Sequence, residues 1–132
     1  MEDRYAALFN DSLARCLRDE SFLDKFYADF MAASPEIRDK FKDTDFVRQK
    51  RMLEKSLWAI MAASEANFES DEFLRGLADY HKKLAVKPEH FDIWQRCLIN
   101  AASQCDPEFN AEIADAWRAV LRRGVELMKG EG

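Results

Sequence analysis

Apolar residues recur at three- and four-residue spacing along almost the whole chain, and helix breakers are scarce. Four glycines and three prolines in 132 residues are too few for an all-β fold, which needs a turn every ~8–12 residues. The segment YAALFNDSLARCL puts Tyr5, Leu8, Phe9, Leu13, Cys16 and Leu17 on one stripe. In DESFLDKFYADFMAA, Asp19 or Ser21 caps a second helix whose Phe22, Phe26, Tyr27, Phe30 and Met31 share a face. Ser34-Pro35 opens a short third helix ending near Phe41, with proline in the first turn, where no amide donor is needed. Thr44 or Asp45 starts a long segment with Phe46, Leu53, Leu57, Ile60 and Met61 inward. Ser70 and Asp71 cap EFLRGLADYHKKLA, which Val86 and Pro88 end, because proline disfavours helical geometry at Lys87. EHFDIWQRCLINAASQC follows, Asp106-Pro107 breaks and caps, and EFNAEIADAWRAVLRRGVELMKG closes the chain. The expectation is an all-α fold of seven to eight helices of unequal length, forming one domain over residues 1–132.

Composition removes several function classes. The net charge is −5, and Lys and Arg are interspersed with Asp and Glu. Neither a nucleic acid nor an anionic membrane would find a positive field. RQKR at 48–51 and the arginine pair 122–123 read as solvated helix faces. No apolar run reaches the ~18 residues of a membrane span, and the acidic N-terminal stretch MEDRYAALFNDSL does not read as a secretory signal. Cys16, Cys97 and Cys105 are odd in number and form no C-x-x-C pair, which points to buried thiols in a reducing cytoplasm.

Candidate chemistry centres on the two histidines, His81 and His90, nine residues apart across a Val-Lys-Pro-Glu break. His81 shares a helical face with Leu77 and Leu74, so it points toward the core. On its own it is an ordinary half-buried histidine. His90, just after Pro88, reads as a helix-start residue on the surface or beside a site.

The order of features along the chain adds to this. FYADFMAASPEIRDKF, with Phe26 and Tyr27 nine and eight residues before Pro35 and Phe41 six after it, resembles the second and third helices of bacterial globins. HKKLAVKPEHF, with Val86, His90 and Phe91 at five, nine and ten residues after His81, resembles the proximal segment of single-domain haemoglobins and flavohaemoglobins. DAWRAV resembles the start of the last globin helix. The resemblance runs from about residue 5 to 128. Unequal helices with a short Pro-initiated one also suit the globin arrangement, whose helices cross at roughly 50°.

The resemblance implies a globin-like fold enclosing a haem pocket, haem b as cofactor, and reversible binding of dioxygen, with CO and NO as further ligands. His81 would be the axial ligand of the iron, its other ring nitrogen donating to a backbone carbonyl such as that of Leu77. Phe41 would lie against the porphyrin. Leu77, Val86 and Phe91 would line its proximal and lateral walls, and Trp94 would narrow the pocket or donate its indole N–H. Tyr27 and Gln49 would donate to dioxygen, with Phe46 inward in the first turn of the distal helix and Leu53 one turn beyond Gln49. A register slid by one turn would put Leu53 nearest the iron. Each apolar position is equally readable as core, Tyr27 as a phenol bonded to a carbonyl, and Gln49 as a surface residue. Phe91 stands where flavohaemoglobins usually carry Tyr. No flavin or nicotinamide fingerprint occurs, so nitric oxide detoxification would need a separate reductase. Two alternatives stay open: a globin-fold regulatory or interaction module without haem, and a ligand role for His90. The charge mixture permits a monomer or a homodimer.

Overall fold

The computed structural model describes residues 3–63, 68–83 and 86–128. Among the described residues every regular element is helical. In order they are α1 (Asp3–Arg18), α2 (Phe22–Ala33), α3 (Pro35–Lys40), α4 (Phe46–Ala63), α5 (Phe68–Lys83), α6 (Pro88–Cys105) and α7 (Ala111–Met128). None is long and apolar enough to cross a membrane. The glycines expected in a frayed tail, Gly130 and Gly132, lie outside the described residues.

The apolar stripes become one core. Phe9, Leu13 and Cys16 of α1 are fully buried, and so are Phe22 and Phe26 of α2, Leu57 and Ile60 of α4, Leu74 of α5 and Leu98 of α6. α1 packs on α7, α2 on α6, and α5 on both α4 and α7. Trp117 of α7 is the largest fully buried side chain. Phe9 meets its ring edge-on at 4.8 Å, and its indole N–H donates to Ser12 Oγ at 2.9 Å, so the buried polar atom is satisfied. α4 and α7 approach closely at Gly124, where an added Cβ would fall 2.5 Å from Ile60 Cγ1.

Element boundaries follow local hydrogen bonding, in places differently from the sequence expectation. Ser34 Oγ accepts from the Glu36 N–H at 3.2 Å and starts α3. Asp45, not Thr44, starts α4: its Oδ1 accepts from the N–H groups of Val47 and Arg48. Ser21 occupies the N-cap of α2 without a side-chain capping bond; instead Asp19 Oδ1 accepts from both the Ser21 N–H and its hydroxyl. Ser70 and Asp71 do not cap α5, because the helix already runs from Phe68. α7 begins at Ala111, later than expected, since Asn110 Oδ1 takes the Ile113 N–H at 2.8 Å while Asp106 closes α6.

All three cysteines are buried free thiols, with burial the main cause that pushes each of their pKa values up, that of Cys16 to about 12. Arg48, Arg51 and Arg122 are exposed, and Lys50 pairs with Asp24 of α2 at 2.5 Å. These basic residues are therefore solvated or paired helix-face charges.

Candidate functional site

A cavity of about 240 Å³ lies between α2, α3, α4, α5 and the start of α6. Among its lining residues are nine singled out from the sequence: Tyr27, Phe41, Gln49, Leu53 and Leu77, then His81, Val86, Phe91 and Trp94. Phe46 is not a wall residue. It sits behind Tyr27, with ring centroids 5.5 Å apart, and tilts against Phe41 at 6.0 Å. Asp45 takes the first amides of α4, and the ring of the next residue packs on Tyr27 and Phe41.

His81 occupies the last turn of α5, one turn beyond Leu77. Its Nδ1 is buried and has no hydrogen-bond partner. The expected bond to the Leu77 carbonyl is not made. The imidazole stands edge-on to Phe91 at 5.5 Å. Burial holds the His81 pKa below its ordinary value, which favours the neutral ring. An unsatisfied buried nitrogen costs ~1–3 kcal/mol.

Tyr27 stands among rings, edge-on to Phe26 at 4.9 Å and to Phe41 at 5.6 Å. Its hydroxyl donates to the main-chain carbonyl of Gln49 at 3.4 Å, long for an O–H···O bond. Desolvation by burial outweighs the Gln49 side chain and pushes the phenol up to about 12. Tyr27 is therefore protonated and weakly committed. Gln49 is half-buried, and Leu53, one turn on, is buried. Both face the cavity, so the two registers considered for α4 differ in which side chain reaches further, not in which face is inward.

The other histidine is also a wall residue. His90 is only 4% exposed, which removes the surface reading. Its Nδ1 accepts from the Lys87 N–H at 3.2 Å, and its Nε2 lies 3.6 Å from Glu36 Oε2.

Residues 24–126 match the family model described as Globin. The chain belongs to the globin family. The globin architecture is also that of a solved Pseudomonas aeruginosa protein described as structurally highly homologous to a human haemoglobin. That protein is 35% identical, the likeness covers 96% of this chain and 97% of that one, and the TM-score is 0.91. No curated protein matches the chain.

Further wall residues of this globin were not legible as such. Phe26, Phe30 and Ile37 read as core from their spacing, and they are buried as well as wall-forming. Lys40, Met52 and Tyr80 carry no sequence signal for a cavity. All three are exposed and mark its mouth. Ser56 returns its hydroxyl to the Met52 carbonyl at 2.8 Å, so it adds little polarity to the wall.

The donor set tests what such a cavity can hold. Among the described residues no group of three or more His, Cys, Asp or Glu side chains converges. A bare metal ion would therefore lack the ligands it needs. A metal that arrives inside a tetrapyrrole brings its equatorial nitrogens with it and asks the protein for one axial donor. His81, a wall residue whose imidazole burial favours as the neutral form, fits that requirement.

Proposed function

We propose that this globin binds haem b in the α2–α5 cavity through His81 and presents it to small gas ligands beneath Tyr27. The observation that carries the reading is that one cavity wall brings together His81, whose ring burial favours as the neutral imidazole, with Tyr27 and Gln49. When bound, haem supplies an iron centre able to take dioxygen, carbon monoxide or nitric oxide. The chain's own residues do the rest. His81 offers a neutral lone pair because burial disfavours its cation. Leu77, Val86 and Phe91 exclude water on the histidine side, and Phe41 supplies an aromatic face across the slot. Tyr27 holds a proton whose bond to the Gln49 carbonyl is long, so it can turn to a partly negative ligand atom. Gln49 adds a second donor, its side-chain amide, at the same wall.

The reading extends to oxygen binding, or to nitric oxide removal with a separate reductase, in a reducing cytoplasm that suits three free thiols. Titration of the purified haem-free protein with haemin tests it. The expected result is a strong Soret band at one haem per chain and, after reduction, a carbon monoxide difference spectrum. His81→Ala should lose that spectrum while His90→Ala keeps it. A wild-type protein that folds and takes up no haem rejects the reading in favour of a haem-free interaction module.

A further inference from the structure

The ring of His81 has no hydrogen bond at Nδ1 to orient it, so its direction must come from elsewhere. The chain just beyond it supplies three anchors. The Val86 N–H donates to the His81 carbonyl at 3.1 Å. The Lys87 N–H donates to His90 Nδ1 at 3.2 Å, and the His90 N–H returns to the Lys87 carbonyl at 2.9 Å. This reciprocal closure of a helix start ordinarily uses Glu or Gln three residues into the helix. Here the acceptor is an imidazole buried in the cavity wall, where a carboxylate would place an unpaired charge. Phe91, the next residue, is the ring that stands edge-on to His81.

The acceptor role fixes the state of His90. A nitrogen that accepts the Lys87 amide carries a lone pair, so the proton sits on Nε2, which faces Glu36 Oε2 at 3.6 Å. Glu36 Oε1 meanwhile takes Lys87 Nζ at 3.0 Å. Glu36 and Lys87 are half-exposed, and such pairs contribute little to stability. The carboxylate lies on the side of the outer nitrogen, an electrostatic contact at 3.6 Å that favours a proton there, while the Lys87 amide holds the inner one.

We propose that His90, through the bond its Nδ1 accepts from the Lys87 amide and with Glu36 at its outer nitrogen, is a positioning residue that holds the 86–91 turn and thereby the orientation of His81 toward the haem. This rests on the proposed haem-binding function. His90 ligates nothing itself. It acts through the Val86 bond to the His81 backbone and through the Phe91 ring against the His81 imidazole.

The test combines haem-free and haem-loaded protein. In haem-free wild type, long-range nitrogen–proton NMR should show His90 as the Nε2–H tautomer and the Lys87 amide protected from exchange. The Nδ1–H tautomer would overturn the proposal. In the reduced, haem-loaded protein, His90→Leu should shift or split the iron–imidazole stretching band. It should also speed haem loss to an acceptor by about tenfold, as removal of an outer-sphere orienting group does. His90→Asn, whose side-chain oxygen can take the same amide, should restore the single band. Glu36→Ala should broaden it without loss of fold, which keeps the proposal testable if His90→Leu does not fold. An unmoved band and unchanged haem loss in the His90 and Glu36 variants reject the positioning role alone. Failure of the wild type to bind haem rejects instead the function on which it rests.

Discussion

In the haem-free chain His81 is a half-buried imidazole whose Nδ1 has no partner, and its desolvation has a pH signature. The folded pKa lies below the ordinary 6.5, so as pH falls through about that value the unfolded chain takes up a proton that the folded chain refuses. Stability therefore drops on acidification in that window. The buried carboxylate of Asp106, whose pKa is lowered, acts only below its ordinary 3.8. The urea midpoint of haem-free protein should fall between about pH 8 and about pH 5.5, and His81→Leu should flatten that slope. A slope that survives the substitution would assign it to another group. Tyr27 gives the second prediction at this scale. Its bond to the Gln49 carbonyl is long and its pKa of about 12 keeps it a donor at any physiological pH. In haem-loaded protein, Tyr27→Phe should speed dioxygen dissociation by about tenfold, which corresponds to loss of ~1.4 kcal/mol. Carbon monoxide, a weaker acceptor, should leave at nearly the same rate. Equal effects on both gases would point to a change of packing rather than a lost proton donor.

Elements were legible where period and breaker agreed, and less so where a single side chain chose the boundary. Pro35 and Pro88 lie at the starts of α3 and α6, and the stripes of α1 and α2 became core as their spacing implied. The start of α5 was not legible, because Ser70 and Asp71 are good cap residues that the structure places inside the helix. Phe46 is inward as its stripe implied, but a helical stripe cannot say whether that face meets a cavity or another ring, and here it meets Tyr27 and Phe41. His81, Tyr27 and Gln49 were found by resemblance rather than period, and the involvement of His90 emerged only from its bonds to Lys87 and Glu36. The two helical glycines separate propensity from packing. Gly76 in α5 has open space where a Cβ would stand, so Gly76→Ala should stabilise by about 0.5–1 kcal/mol. Gly124 in α7 gains the same propensity from alanine, but the added carbon meets three atoms of fully buried Ile60. Overpacking costs ~1–3 kcal/mol, so Gly124→Ala should destabilise. Pairing it with Ile60→Ala should recover part of the loss in a double-mutant cycle. Additive losses would mean that α4 and α7 can move apart freely.

Across the whole molecule, polar burial is distributed between two regions with opposite character. At the α1–α6–α7 junction every bond is made. Asp106 accepts from Ser12 Oγ at 2.6 Å, from Arg15 Nε and an Arg15 terminal nitrogen at 2.6 and 3.0 Å, and from the Glu108 N–H at 2.9 Å. Burial alone would raise the Asp106 pKa, and these donors more than offset it. At the cavity, by contrast, His81 Nδ1 is unpartnered and Tyr27 is loosely held. The first region stabilises the fold and ties in α1, whose residues lie outside the matched globin range of 24–126. The second leaves bonds for a ligand to complete. The two should therefore separate experimentally. Asp106→Asn should lower unfolding stability by about 2–3 kcal/mol and leave haem uptake by the folded protein unchanged. Haem at about a hundredfold above its dissociation constant should add ~2.7 kcal/mol to wild type and to Asp106→Asn alike. It should add far less to His81→Ala. A haem increment that shrinks with Asp106→Asn would show that the junction and the cavity are coupled, and that α1 reaches the site through the core.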